Sequence, residues 1–443
     1  GVPAAPAAPA IPAARPSRPA QRSSSRRSSH RSRSTAIARS AGFLLFAVLI
    51  VAGGLVFGRS YLFPENWEGD AIAYGEAVEV ARGIEFDRPV RLVEQPSGIA
   101  RADATRAAVG DVVADQGLWR SLGLLDAAPV DLAGITAALG DTTAVHYSTV
   151  DGAIYVDESY ASPERDARIT RAMAVASLDQ QHGWSAAADT RPLGAQVLID
   201  AAVLERSAVI QDKVDGVVLP LPDFATYADL PPAVSYRIMA PIMLADVLRR
   251  GGDGERVLAS GAAAANSIAL LDAPTGLEPS EQPVGDPVAT DRDIWYLVFA
   301  ARLDAVEAFD LANMISRASL QLVEAPEGTC AVSTFVSADA DTRTELVDGL
   351  GSWASLAPAE MGATVTAMPT GAVRLRTCAP LVDGVEPARS GTAAELVVWR
   401  AAELELAQQM TMRAVNATDA ADIAKRMSTF PEIVAVVEQP SPS

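Results

Sequence analysis

The sequence is poor in the side chains that most often carry catalysis or bind metals. Its 443 residues include three histidines and two cysteines, and aromatic residues make up 5%. There is no Gly-x-Ser-x-Gly elbow of the kind that exposes a serine nucleophile. The glycine-rich stretch 251–255 lacks the Lys and Ser/Thr of a phosphate loop and is typical of a turn that stops a helix. Serine-histidine catalysis and Walker-type nucleotide binding are therefore not indicated.

Acidic residues are absent from the first 60 positions, which contain nine arginines. Removing these nine from the 36 basic residues leaves 27, against 55 acidic residues in the rest of the chain. A surface this negative repels nucleic acid. We therefore expect no nucleic-acid partner for the main body. Residues 1–40, rich in Arg, Ser and Pro, have little to bury and are predicted to be disordered.

One long apolar run predicts a membrane anchor. Residues 41–58 are 18 positions without a charge, and the run extends to residue 63 past Arg59. This is about the length that crosses a hydrocarbon core of roughly 30 Å. Arginines precede the run and acidic residues follow it, which predicts a single-pass protein of the cell membrane with a cytoplasmic N-terminus and an extracytoplasmic main domain. A cleaved signal peptide is the competing interpretation.

Cys330 and Cys378 lie on the predicted outer side of the membrane. An even number of cysteines in an oxidising compartment favours a disulfide. Two free thiols remain the alternative.

From residue 65 the pattern predicts a helix-rich α+β ectodomain with small mixed or antiparallel sheets. Alternation in 89–97 indicates a strand, and 142–159 indicates a hairpin turned at Asp151-Gly152. Helical spacing predicts helices at 98–125, 169–184, 193–213, 231–252, 341–353 and 393–415. Short strands that carry the two cysteines flank the helix at 341–353. The predicted divisions are a first part at 65–273, an acidic proline-rich linker at 274–291, a disulfide-containing part at 292–385, and a terminal helix and tail at 386–443.

The hairpin at 142–159 is followed by a helix that ends in Ser-Leu-Asp-Gln-Gln-His at 177–182. This order of elements and this ending resemble a family of bacterial zincin-like metallopeptidase domains. In active members the helix carries His-Glu-x-x-His, so that two imidazoles on one face bind Zn²⁺ and the glutamate activates a water molecule. The resemblance covers about 320 residues by element order and short matches.

Aligned with that pattern, Ala172 and Ala176 occupy the histidine positions and Met173 the glutamate position, while Glu205 falls near the third ligand. Methyl and thioether groups cannot perform these roles. The resemblance therefore implies a degenerate domain with no catalytic residues, no metal and no cofactor. The alternative is an unrelated α/β domain in which Ala172, Ala176 and Ser177 let a neighbouring helix approach closely.

The resemblance and the membrane anchor together imply a non-catalytic binding or accessory protein of an actinobacterial cell envelope. Its expected ligand is a lipid or glycolipid of the trehalose-mycolate type, handled beside a membrane exporter. Two alternatives stay open: a structural scaffold or regulator of a membrane enzyme complex, and a hydrolase with an unrecognised site.

Overall fold

Twelve α-helices and two β-sheets make up the part of the chain that the computed structural model describes, which is an α+β fold, as predicted. The described residues are 67, 69–125, 129–186, 193–222, 224–227, 230–260, 269–270, 281–288, 290–380 and 392–413. Those from 67 onward belong to one compact unit. The predicted tail at 1–40 and membrane segment at 41–63 lie outside the described residues. Within the described ranges, no helix has both the length and the apolar character needed to span a bilayer.

The N-terminal elements form a small mixed sheet with helices around it. The helices are α1 (Ala71–Arg82), α2 (Ser97–Ala114), α3 (Gln116–Ser121) and α4 (Leu132–Leu139). The strands are β1 (Arg91–Gln95), β2 (Val145–Ser148) and β3 (Ala153–Asp157), with β3 central, parallel to β1 and antiparallel to β2. The hairpin is confirmed, and Gly152 in its turn has φ +62°, a conformation that favours glycine.

Four helices follow the hairpin: α5 (Arg165–His182), α6 (Leu193–Asp215), α7 (Pro232–Gly251) and α8 (Gly254–Ser260). Gly183 and Gly252 end α5 and α7 in the left-handed conformation, the usual glycine stop. Helix α5 packs against α1, α6, β2 and β3. Asp166 and Gln181 are the exposed residues among its eighteen. It is the central helix of this half of the domain.

The second sheet has six strands and carries both cysteines. Its strands are β4 (Ala269–Leu270), β5 (Gln282–Val288), β6 (Arg317–Ala325), β7 (Gly328–Val336), β8 (Thr364–Ala367) and β9 (Val373–Cys378). The order is β4-β6-β7-β9-β8, and β5 pairs with β6. Helices α9 (Arg292–Ala300), α10 (Ala305–Asn313) and α11 (Ala340–Leu356) accompany it, and α12 (Thr392–Arg413) packs on α7 and α9.

The disulfide prediction is supported. Cys330 and Cys378 face each other in the antiparallel register of β7 and β9, and their sulfurs are at bonding distance. The two residues are 48 positions apart in sequence. The cross-link therefore joins neighbouring strands through a large loop that contains α11 and β8.

The segment predicted as a linker, 274–291, contributes regular structure to this sheet. Its residues Gln282–Val288 form β5, which pairs antiparallel with β6 through an irregular register. Pro283 and Pro287 suit an edge position because proline cannot donate to the next strand. At the end of the segment, Asp291 caps α9 by accepting a bond from the Ile294 amide.

Ion pairs tie distant elements together. Arg237 of α7 contacts Asp111 of α2 at 2.9 Å and Asp200 of α6 at 2.5 Å. In the second sheet, Arg374 of β9 contacts the buried carboxylate of Glu281 at 2.7 Å. These paired charges fix how the helices and the sheet edges meet.

Candidate functional site

The three positions where the resemblance expects catalytic groups face the protein core. Ala172 is 6% exposed, and Met173 and Ala176 are fully buried. All three belong to the main hydrophobic cluster of the domain. This part of α5 is therefore packed against neighbouring side chains.

The polar ending of α5 holds adjacent segments in place. The Asp179 carboxylate accepts bonds from the Tyr147 hydroxyl at 3.1 Å and from the Ser185 amide at 3.2 Å. The Gln180 side chain accepts a bond from the Arg88 amide and donates one to the Arg88 carbonyl, at 3.1 and 3.0 Å. These bonds connect β2 and the loop before β1, which contains Arg88, to the helix. The polar ending of α5 therefore has a structural role.

The remaining polar residues of this ending contact α1 and α8. Arg82 at the end of α1 donates to Ser177 and Gln181. His182 Nε2 lies 3.1 Å from the Glu255 carboxylate. The other described histidine, His146, stacks on Tyr155 of the hairpin. The two imidazoles thus have different partners on different elements.

Glu205, the predicted remnant ligand, lies on α6 and is 3% exposed. Its Oε2 atom has no hydrogen-bond partner among the described residues. That atom lies against Gly254, where an added Cβ would come within 2.0 Å of it. Burial raises the pKa of Glu205, and the charges of Arg206 and Arg249 oppose that rise. The carboxylate is therefore retained in the interior without a bonding partner for one of its oxygens.

Helices α5 and α6 meet beside these positions. The Arg171 guanidinium donates to the Leu204 carbonyl at 3.2 Å, so the residues that precede Ala172 and Glu205 are in direct contact. In the described ranges, no group of three or more His, Cys, Asp or Glu side chains is arranged to hold a metal ion.

A small pocket with about 10 Å³ of space, room for about one water molecule, opens between α9, α10 and α12. The rings of Phe309 and Trp399 stack beside it, with centroids 4.4 Å apart. Arg400 Nε lies 3.2 Å from an oxygen of Asp293, and both residues line the pocket. Arg292, also a lining residue, donates to Asn313 at 2.7 Å. The pocket combines an aromatic wall with paired charges.

Beneath this pocket lie two buried carboxylates, Asp291 and Asp293, each 2% exposed. The Tyr236 hydroxyl donates to Asp293 at 2.5 Å, and the Gly194 amide donates to Asp291 at the same distance. A Cβ added to Gly194 would lie 2.3 Å from an Asp293 oxygen and 2.9 Å from an Asp291 oxygen, so the two carboxylates are close. Burial and the charge of Asp293 raise the pKa of Asp291 to about 7, although the amides of Gly194 and Ile294 favour its charged form.

The raised pKa of Asp291 predicts how stability depends on pH. In the unfolded chain its pKa is near 3.8, so between about pH 4 and 7 the folded state holds a proton that the unfolded state has lost. The free energy of unfolding should therefore fall as pH rises through this window, by roughly 1.4 kcal/mol per unit, and level off above it. Urea denaturation at several pH values measures this slope.

An Asp291→Ser variant keeps a capping oxygen for α9 but removes the titrating group. It should reduce the slope between pH 5 and 7 relative to the wild type. Asp304→Ser is the matched control, because Asp304 caps α10 at an exposed position. If Asp291→Ser retained the full wild-type slope, Asp291 would not be the group responsible.

Sequence reasoning did not find the pocket or the acidic pair. The residues come from 291–313 and 392–413, which are distant in sequence and carry no spacing motif. Asp and Glu are abundant, so two more acidic residues give no signal. One usable sign in the sequence was the apolar and aromatic run that follows Asp293 directly; the structure buries Asp293 together with that run.

Comparisons of the chain with protein families, with characterised proteins and with solved structures find no match.

Proposed function

We propose that the chain is a non-catalytic, membrane-anchored accessory protein of the bacterial cell envelope, built on a degenerate zincin-like domain. The burial of Ala172, Met173 and Ala176 carries this proposal. A peptidase needs its metal ligands on a face that borders the substrate cleft, whereas these side chains are part of the core. Loss of the two histidines from a zinc-binding ancestor would leave the third ligand, a glutamate, in the interior, and Glu205 is an acidic group at that position.

Two further features support an extracytoplasmic position for the domain. The apolar run 41–63 and the arginines before it favour a membrane anchor with the main domain on the extracytoplasmic side. The Cys330–Cys378 pair favours the same side, because disulfides persist in oxidising compartments.

Binding is the task best supported, with the pocket between α9, α10 and α12 as its place. The pocket itself has room for about one water molecule, well below the roughly 300–1,000 Å³ of usual ligand sites, so a ligand would rest against its open rim. The polar headgroup of a lipid or glycolipid fits this rim better than a whole acyl chain does. The Phe309–Trp399 stack offers a flat apolar wall, and Arg292 and Asn313 offer polar contacts at the rim.

Retained lipid tests this proposal. The full chain would be purified in mild detergent, and its bound small molecules would be identified by mass spectrometry. Asn313→Trp, at an exposed rim position, should block the pocket and reduce the retained lipid about tenfold or more. Glu307→Trp is the control, an exposed site on the same helix that does not line the pocket, and it should retain lipid as the wild type does.

A structural scaffold is the second candidate, and one observation favours it. The loop after α6 exposes apolar side chains: Val217 is 39% exposed, Val218 86% and Leu221 74%. Exposed apolar groups in close sequence proximity indicate a contact with another macromolecule. A stoichiometric protein partner without lipid, lost in a Val218→Ser/Leu221→Ser variant, would favour this candidate. Chelator-sensitive peptidase or esterase activity of the purified chain would contradict both.

A further inference from the structure

Helix α1 carries apolar residues on both of its faces, although one face is exposed to solvent. The inner face packs against α5 and α6 and buries Ala71, Gly75 and Val78. On the opposite face, Ile72 is 40% exposed and Val80 is 84% exposed. A helix at the surface of a protein normally confines its apolar residues to the face that meets the core. The exposed face of α1 therefore lacks the polar character of a surface that stays in water.

This outer face of α1 is continuous along the helix. It is formed by residues spaced three or four positions apart, which lie side by side: Ile72, Ala73, Glu76, Ala77 and Val80. Glu76 is its charged member. Ile84, just past the glycine that ends the helix, is 42% exposed and extends the apolar surface beyond α1. Exposed apolar side chains that lie together indicate a contact with another macromolecule or with a membrane.

The length of chain before α1 indicates what covers the outer face. Three residues separate Phe63, the last residue of the predicted membrane segment, from Trp67. Fully extended, this stretch spans about 14 Å between the two residues. Trp67 in turn lies on α1, because a Cβ added to Gly75 would be 2.5 Å from its ring, and its ring meets that of Phe86 with centroids 5.2 Å apart. A bilayer that holds residues 41–63 is therefore within reach of α1.

We propose that the outer face of α1 rests on the lipid bilayer, with Ile72 and Val80 inserted at the boundary between headgroups and acyl chains. Amphipathic helices that lie in this plane bury an apolar face roughly 5–10 Å deep. Trp67 is half-buried and suits the membrane interface, where tryptophan is enriched. The inference rests on the membrane anchor of the proposed function. The anchor makes the contact intramolecular, so that a modest apolar area is sufficient.

The charges beside the outer face indicate which headgroups it meets. Asp70, Glu76, Glu85 and Asp87 are exposed, and the Arg82 guanidinium donates to two side chains of α5. Exposed carboxylates repel anionic headgroups, whose surface potential is negative. Apolar insertion and not charge attraction therefore supports the contact, and zwitterionic phosphatidylcholine is the appropriate lipid for a test.

Photo-crosslinking to lipid tests the proposal. The full chain would be reconstituted in phosphatidylcholine vesicles with p-benzoylphenylalanine, which captures nearby C–H bonds, in place of Val80 or of Val306. Val306 is an exposed valine of α10, at 44%, and serves as the control. Since acyl chains are within reach of an inserted side chain alone, lipid adducts at position 80 should exceed those at position 306 by about tenfold or more. Equal yields at the two positions would overturn the proposal.

Flotation of the same vesicles separates this inference from the membrane anchor. If the chain floats with the vesicles but position 80 gives no excess of lipid adducts, the anchor stands and the contact of α1 is wrong. If the chain does not float, the anchor is wrong and the contact is wrong with it. A crosslinked dimer at position 80 without lipid adducts would assign the face to a second copy of the chain and overturn the bilayer contact.

A charge placed on the outer face provides a second measurement. With the photo-crosslinker in place of Ile72, Val80→Glu should reduce the lipid adducts at position 72 about fivefold or more, because a carboxylate is expensive to bring into the acyl region. Val306→Glu is the matched control and should leave the yield unchanged. Both valines are exposed, so neither substitution disturbs the packed interior. An unchanged yield in the Val80→Glu chain would contradict insertion of this face.

Discussion

Met173→Glu is expected to lower the free energy of unfolding by about 4 kcal/mol or more, a large share of the stability of an ordinary domain. Met173 is fully buried in the main hydrophobic cluster. A glutamate there must either lie charged in the core or hold a proton at pH 7, and a proton held nearly three units above the usual pKa alone costs about 4 kcal/mol. Urea denaturation followed by circular dichroism measures the loss.

Two controls separate charge burial from other effects. Met173→Leu conserves volume and should cost less than about 1.5 kcal/mol. Val80→Glu introduces the same charge on α1, at a side chain that is 84% exposed, and should change stability by no more than about 0.5 kcal/mol. A Met173→Glu protein as stable as these controls would show that this face of α5 borders water.

The same reasoning applies to restoring the complete zinc-binding pattern. Combining Ala172→His, Met173→Glu and Ala176→His would insert two imidazoles and a carboxylate where two methyl groups and a thioether now pack. We expect an unfolded chain, because overpacking adds to the cost of the buried charge. A folded triple variant that binds zinc tightly would contradict the assignment of this face to the core.

Removal of the Cys330–Cys378 disulfide is expected to cost about 4 kcal/mol. The two cysteines are 48 positions apart, and opening a loop of that size restores chain entropy to the unfolded state. Both residues are buried, so Cys330→Ala/Cys378→Ala is preferable to serine, which would leave hydroxyl groups in an apolar cluster. Urea denaturation compares the double variant with the wild type.

The wild type in reducing agent is the matched control, because it breaks the same bond without changing the packing of the two residues. Both samples should lose stability by a similar amount. If neither did, the sulfurs would not be bonded in the purified protein. If the double variant alone lost stability, packing of the cysteines and not the cross-link would be the cause.

Local patterns in the sequence predicted much of the fold. The hairpin, the stop of α7 at glycine and the placement of both cysteines on adjacent strands followed from alternation, periodicity and turn residues. Strand β5 did not, because Pro283, Gly285 and Pro287 are typical of a loop, and an edge position that tolerates them is set by tertiary pairing. The chain from Arg292 to Asn313 forms two helices, α9 and α10, and the side chain of Asp304 caps the second.

The candidate sites were harder to predict than the fold. Sequence reasoning identified the positions around Ala172 and Glu205, but not that the first is packed and that the second lacks a partner for one oxygen. These properties depend on which helices approach each other. The pocket joins residues from α9, α10 and α12, and no motif marks such long-range encounters.

The ion pair between Asp293 and Arg400 has a consequence for synthesis of the chain. Because a protein leaves the ribosome N-terminus first, Asp293 emerges well before its counter-ion. Until then α9 and α7 lack the helix that covers them, and the carboxylate has Tyr236 beside it but no cation from α12. A nonsense mutation upstream of Arg400 would therefore yield an incompletely closed domain, a substrate for quality-control proteases and not a shorter working protein.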